Sequence, residues 1–374
     1  MKRSDKNILI VSYYYPPYLF GGALRMHYLR QYLEEEGYSV GVITAQPSNE
    51  KHTIVISDPV PSSSIKKKNP GLKKYNPMPD SMFIWSIRVS LFIRKYHKQY
   101  SRIIISIPPY SAGLFMTMLP RPIRAKIILD MRDTWSDGPF VEYANELYRR
   151  LDRSMESLTY SRIDSFTGVT EGIADDFSNK CRKKMHCIRN PIDKNECKQA
   201  RQGNYIVYPG KIDNLRVNRP FLNIYESMRK RLPIKAAGAP SWLDKEYQCW
   251  EYAGSYTRKQ MLDIISQSYA GLIMLDFNAN ITYMIPAKLL DYVLCKKPVL
   301  YVGPRTVASE FIEREGIGVA VTSPEKKDII RGIERILEGE FIIRDELIEQ
   351  LDYHSVFEKY LRLLDTASLN SGGP

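Results

Sequence analysis

The chain has 374 residues, of which 44% are hydrophobic and 26% charged. That mix excludes wholesale disorder and leaves room for two domains, each with its own core. The formal charge of +12 is uneven: residues 1–200 hold 31 Lys and Arg against 20 Asp and Glu, net +11, and the rest hold 23 against 22. Such asymmetry points the first half toward something anionic: nucleic acid, a membrane surface or a phosphorylated substrate.

The opening "MKRSDKNILIVSYYYPP" has a five-residue apolar stretch after its charges, too short for a signal peptide. No run approaches the roughly 18 apolar residues of a membrane span. The five cysteines form no CxxC and read as reduced thiols. A cytoplasmic protein is expected.

In chain order, "NILIVSYYYPP" predicts a strand and "GGALRMHYLRQYLEEEG" a helix that opens on two glycines and closes on Gly37. "YSVGVITAQ", "YSRIIISIPPYSA" and "AKIILDMRDTW" predict further strands, followed by a helix near 140–160 and by "IDSFTGVTEGIADDF" and "MHCIRNPID". Short β-rich runs alternating with helical patterns predict a parallel α/β sheet. The polar "KNECKQARQGN" suits a linker. A second series begins at "YIVYPGKI" and runs through "NRPFLNIYESMRKRL", "PIKAAG", "CWEYAG", "TRKQMLDIISQS", "YAGLIMLDF", "PAKLLDYVLCKK", "PVLYVG" and "ASEFIEREG". Residues 325–365 read as helical, and "SLNSGGP" as a solvated, flexible tail. Two doubly wound domains in tandem are expected, with a cleft between them.

Four places carry chemistry. Gly21 and Gly22, between a strand and a helix, either form a tight turn or let a phosphate approach the helix N-terminus. Lys211 and Arg216, just after the first strand of the second half, either are solvated or clamp a diphosphate. Lys288 and Asp291 share a face of the helix that begins after Pro286, as an ordinary ion pair or as a phosphate cation beside a ribose acceptor. The apolar strand "AKIILD" ends in Asp130, Arg132 and Asp133, three charges within four positions. They form either a structural ion cluster or part of a site.

The ordered set "PP"–"GG", "SIPPYS", "LDMRDTW", "RNPID", "YPGKIDNLR", "YAGSYTRKQML" and "IPAKLLDYVLCKKPVL" resembles glycosyltransferase family 4, bacterial surface-polysaccharide type, over nearly the whole chain. The resemblance implies an α/β GT-B fold, two Rossmann-like domains facing an interdomain cleft. It implies retaining transfer from a nucleotide sugar with no metal and no other cofactor. Residues 1–200 would be the acceptor-side domain, 201–345 the nucleotide-sugar domain, and 346–374 a helix crossing back plus the tail. Lys211 stands where the family has a diphosphate-binding arginine, and Arg216 where it has a lysine. Asp291 replaces the second, ribose-holding glutamate of the family's pair, and Tyr283 the first, which contacts donor-sugar hydroxyls. Gly21, Gly22, Lys211, Arg216, Lys288 and Asp291 are then the expected donor-binding residues. Arg132 stands where many members have a histidine. Asp133 is the expected catalytic carboxylate for the acceptor hydroxyl, with Arg132 pairing with it or binding an acceptor phosphate. Asp130 is expected to be structural, accepting backbone N–H bonds.

Five lysines between residues 66 and 74 precede an aromatic helix containing Phe83, Trp85, Ile87, Leu91 and Phe92. This segment is either a solvated loop with a core helix or an anchor on an anionic membrane, beside a glycan or lipid-diphosphate-linked acceptor. Two alternatives to a glycosyltransferase are a nucleotide-sugar epimerase of related fold and a nucleic-acid-binding protein. The latter lacks a base-stacking signature such as an RNP motif, so no nucleic acid is expected as partner.

Overall fold

The computed structural model describes residues 6–17, 21–59, 79–119, 125–138, 141, 143, 145–197, 203–228, 232–238 and 242–369. The chain divides into two units, residues 1–190 with 356–374, and residues 191–355. The first boundary lies ten residues before the expected 200. Just beyond it, the Ile192 amide donates to the Leu351 carbonyl at 2.9 Å, and the Tyr353 amide to the Ile192 carbonyl at 2.9 Å. The second boundary lies past 345 because Leu347, Ile348 and Leu351 are buried in the core of residues 191–355.

In the first unit, β1 (Asn7–Val11), β2 (Ser39–Thr44), β3 (Thr53–Val55), β4 (Arg102–Ile107), β5 (Lys126–Met131), β6 (Ser165–Gly168) and β7 (Met185–Cys187) form one parallel sheet in the order β3-β2-β1-β4-β5-β6-β7. Ile103, Ile104 and Ile105 of β4 are all fully buried, as expected of a strand covered on both faces. The connecting helices are α1 (Gly21–Glu35), α2 (Phe83–Tyr96), α3 (Tyr110–Thr117), α4 (Glu146–Arg162) and α5 (Glu171–Cys181). Strand β3 and helix α3 went unpredicted. The first is a three-residue edge, and the second is short and buried nearly all round, so neither shows a periodic polar face.

The second unit holds β8 (Ile206–Pro209), β9 (Ile234–Ala237), β10 (Trp250–Gly254), β11 (Ala270–Met274), β12 (Val299–Val302) and β13 (Gly318–Val321), parallel in the order β10-β9-β8-β11-β12-β13. Its helices are α6 (Arg219–Ser227), α7 (Leu243–Glu246), α8 (Arg258–Ser266), α9 (Ala287–Leu294), α10 (Val307–Glu315), α11 (Lys326–Glu338) and α12 (Asp345–Leu351). Helix α13 (Tyr353–Leu369) starts there and belongs to the first unit from Val356 onward. In both sheets the strand order reverses at the fourth strand added, between β1 and β4 and between β8 and β11. Parallel α/β sheets bind ligands outside the carboxyl ends of the strands at such a switch point.

A buried charge pair fixes the first unit. Asp130 and Arg25 are both fully inaccessible, and Arg25 Nε and Nη2 donate to the two carboxylate oxygens at 2.9 and 2.8 Å. Thr167 and Tyr360 donate their hydroxyls to Asp130 Oδ1 at 2.6 and 2.7 Å, and Arg25 Nη1 reaches the Arg189 carbonyl at 2.6 Å. Asp130 is thus structural, but its partners are side chains rather than the expected backbone amides. An ionised carboxylate wholly removed from water needs a counter-charge and not only dipoles. Burial raises the Asp130 pKa, and the Arg25 charge with the three hydrogen-bonding partners outweighs it, so the group stays below its ordinary range. Its stabilisation is therefore present at neutral pH and lost as the pH falls through the acid range. Asp130→Ala should cost about 3–5 kcal/mol by stranding Arg25, and Tyr360→Phe about 1.5–3 kcal/mol, read as shifts of the urea midpoint at pH 7. Equal and negligible shifts would contradict this account of the pair.

Candidate functional site

In the second unit, β8 ends at Pro209 and the chain turns at Gly210, whose φ of +103° lies in the region that favours glycine. The turn is held against the neighbouring strands. Gly210 N donates to the Ala237 carbonyl at 2.7 Å, and a Cβ at Gly238 would stand 3.1 Å from Gly210 N. Lys211 follows, exposed at the strand tip. A single 3-10 turn, Asn214–Arg216, then brings Arg216 onto Asp213 in an ion pair. Two bonds staple this loop to the end of β11, the far side of the switch point. The Asp276 amide donates to the Leu215 carbonyl at 2.9 Å, and Asn218 Nδ2 to the Leu275 carbonyl at 2.8 Å.

Helix α9 supplies the third cation. Its Tyr292 hydroxyl donates to the carbonyls of Val207 and Leu272 at 3.1 and 2.8 Å, pinning the helix to β8 and β11 together. Gly271 leaves room for that ring, since a Cβ there would lie 2.4 Å from it. Lys288, in the first turn of α9, holds its Nζ 3.4 Å from the Tyr208 ring centroid. The same amine lies 3.9 Å from the position of a Cβ on Gly210. Burial lowers the Lys288 pKa well below the ordinary lysine value, and the Arg216 charge lowers it further against the partial relief of Asp213 and Asp291. Lys288, in the first turn of α9, therefore stands beside Gly210 at the switch point with the Arg216 charge acting on it, and Lys211 is exposed at the neighbouring strand tip. An arrangement with surplus positive charge and a desolvated amine suits an oxyanion.

Lys288 and Asp291 are not the simple helical pair their spacing allowed. The amine faces the Tyr208 ring, while Asp291 Oδ1 accepts from Arg258 Nη1 at 2.6 Å. Arg258 is a residue the sequence reading passed over, although a cation at the start of α8 opposes the helix dipole and so signals a specific partner. Tyr283 is 40% exposed just before the helix.

In the first unit the remaining predicted residues gather at the other switch point. Asp130 and Arg132 are two apart on β5 and its exit and so point to one face, the face of α1. Asp130 meets Arg25 there, and Arg132 meets Gly22 one turn earlier. A Cβ on Gly22 would lie 1.3 Å from Arg132 Nη1, so Gly22 makes room for this guanidinium. Arg132 Nε donates to the Ile107 carbonyl at 3.3 Å and Nη2 to that of Pro108. Burial lowers its pKa, with Asp133 and Asp130 acting in the opposite sense.

Asp133 follows, half-buried, on a loop moored from below. Tyr110 donates its hydroxyl to the Thr134 carbonyl at 2.7 Å and stacks on Trp135 at 4.9 Å between centroids. Trp135 Nε1 donates to Asp152 at 2.9 Å, and Ser136 donates to Glu156. Burial, and then the Asp133 charge, push the Tyr110 hydroxyl well above its usual range.

The lysines at 66–74 lie outside the described residues. In α2, which follows them, Trp85, Val89 and Ile93 are core while Phe83, Ile87 and Leu91 are exposed at 36, 37 and 55%. Among the described residues no helix is long and apolar enough to cross a membrane. No group of three or more His, Cys, Asp or Glu among them is placed to hold a metal ion.

No family model matches the sequence, and no curated protein matches it. Solved structures do share its fold. Anabaena HepE in complex with UDP and glucose aligns with a TM-score of 0.67 at 11% identity, over 96% of this chain and 100% of that one. The apo lipopolysaccharide outer core galactosyltransferase WaaB aligns at 0.62 with 10% identity, over 96% and 99%. An α-glucosyltransferase in complex with UDP and a 13-mer DNA aligns at 0.59 with 12% identity, over 96% and 99%. The chain has the GT-B fold of these glycosyltransferases, as its sequence led us to expect.

The desolvated amine gives a test that needs no ligand. A lysine whose folded pKa is depressed costs stability most below that pKa, and the cost fades as the pH nears the ordinary value of about 10.4. Lys288→Met should therefore raise the Tm at pH 7, with the gain shrinking toward pH 10. A loss of Tm would contradict the burial of an incompletely compensated charge.

Proposed function

We propose that the chain transfers a sugar from a nucleotide-sugar donor to a glycan acceptor. The carrying observation is the Lys288 amine beside Gly210 at the β8/β11 switch point, within reach of the Arg216 charge, and Lys211 joins them in this reading as the residue that follows Gly210. As charge-assisted donors they bind the donor diphosphate and take up the charge left on it when the glycosidic bond to phosphate breaks. Asp291 accepts from the nucleotide ribose. The GT-B fold shared with UDP-bound glycosyltransferases supports this reading.

Asp133 orients the acceptor hydroxyl and accepts its proton as the new bond to the anomeric carbon forms. Arg132, fixed on the Ile107 and Pro108 carbonyls, stabilises an acceptor phosphate or the Asp133 charge. Retention of anomeric configuration and independence of metal follow from the resemblance to family 4. They are part of the proposal, as is a cell-surface polysaccharide product. The exposed Phe83, Ile87 and Leu91, with Arg88, Arg94 and Lys95 on the same helix, support a peripheral place on an anionic membrane, on its cytoplasmic face, beside a lipid-diphosphate-linked acceptor.

A polynucleotide acceptor is the second reading. It is favoured by the +11 charge of residues 1–200 and by the DNA held by one protein of the same fold. Nucleic acid therefore stays among the acceptors to be tested, contrary to the expectation from sequence.

Asp133→Asn should lower transfer to glycan acceptors about 10²–10⁴-fold, the usual share of a positioned general base. Affinity for the donor nucleotide should stay within about twofold, read by calorimetry. Turnover surviving in the variant would refute the acceptor role. Transfer to DNA and not to glycans, falling steeply with salt, would establish the second reading.

A further inference from the structure

Arg258 stands between two carboxylates. Its Nη1 donates to Asp291 Oδ1 at 2.6 Å, and its Nε and Nη2 both lie 3.0 Å from Glu196 Oε2. The three side chains are 15, 15 and 23% exposed for Arg258, Asp291 and Glu196, so water screens them weakly. Their backbones are set independently. Arg258 opens α8 behind a capping box in which Gln260 Oε1 accepts from Thr257 N at 3.0 Å. Asp291 rides on α9, pinned by Tyr292. Glu196 sits in the turn just after the unit boundary, with its amide on the Asp193 carbonyl at 3.1 Å.

We propose that Arg258 is a positioning residue that fixes the Asp291 carboxylate for recognition of a ribose diol, with Glu196 as its counterweight. The proposal rests on the donor-site reading above. Three features carry it. Among the described residues only Oδ1 of Asp291 is engaged by a side chain, which leaves Oδ2 to accept from a ligand. All three nitrogens of Arg258 are turned to carboxylates, so it is not a fourth phosphate cation. Two carboxylates against one guanidinium leave the group net negative, which keeps Asp291 a strong acceptor for neutral hydroxyls and sets it apart from the cations at Lys288. A short aspartate reaches less far than a glutamate, and its aim is correspondingly more dependent on being held.

The test uses the full-length protein and calorimetric titration with UDP, GDP and ADP, then the 2′-deoxy analogue of whichever binds tightest, and inorganic pyrophosphate. The parent should prefer the ribose over the deoxyribose nucleotide. Arg258→Met should weaken the ribonucleotide about tenfold, the worth of one hydrogen bond to a charged group, and bring the ribose preference close to one. Pyrophosphate affinity should be unchanged, and Arg258→Lys should recover part of the preference. A full ribose preference in Arg258→Met overturns the role of Arg258 alone. Equal losses for nucleotide and pyrophosphate show a merely structural residue and also overturn it. No nucleotide binding by the parent overturns the donor reading and this proposal together.

Discussion

The Arg25–Asp130 pair is the constraint around which the first unit is arranged. It joins β5 to α1, and through Thr167, Tyr360 and Arg189 it reaches β6, the returning helix and the end of the unit. Because side chains two apart on a strand share a face, fixing Asp130 against α1 also aims Arg132 at the opening turn of that helix. Gly22 is the complement, an absent side chain in the place where the guanidinium lies. The half-buried Arg132 at the tip thus inherits its geometry from a charge pair buried beneath it. Such pairs add little net stability compared with apolar packing, yet they are costly to break, and this makes them good at fixing register.

The second unit solves the opposite problem. Its switch point holds cations that the fold does not fully neutralise. Lys288 is packed on an aromatic ring and repelled by Arg216, a configuration that costs free energy. Around it, Tyr292 bridges two strands and Asn218 closes the loops across the crevice. Asp213 offsets part of this charge, while the second carboxylate, Asp291, lies a helical turn from Lys288 and is held by Arg258. One short helix therefore presents a cation at its start and a carboxylate one turn on, each with a separate partner.

Most of the strands and long helices were legible because buried parallel strands write uninterrupted Ile and Val runs, as in "RIIISI". The nearness of Lys288 to Arg216, 72 positions apart in the sequence, was suggested only by the family resemblance. What stayed hidden were the partners of each charge. Tyr360 lies 230 positions from Asp130 and Arg258 lies 33 from Asp291, and no local pattern links residues at such separations. Asp130 read as a backbone acceptor because strand-end carboxylates so often are, and its burial beside Arg25 is a tertiary fact.

The central claim is that Arg216 and Lys288 at the β8/β11 switch point, together with Lys211, bind the diphosphate of a nucleotide sugar. A thermal-shift panel of nucleosides, nucleoside diphosphates, nucleotide sugars and duplex DNA tests it most directly, run on the parent and on Lys288→Met. At about a hundred times its dissociation constant the matching nucleotide should stabilise the parent by about 2.7 kcal/mol. The bare nucleoside should do far less, and the gain should shrink in the variant. Stabilisation by DNA alone, or by nucleotides equally in parent and variant, would contradict the claim.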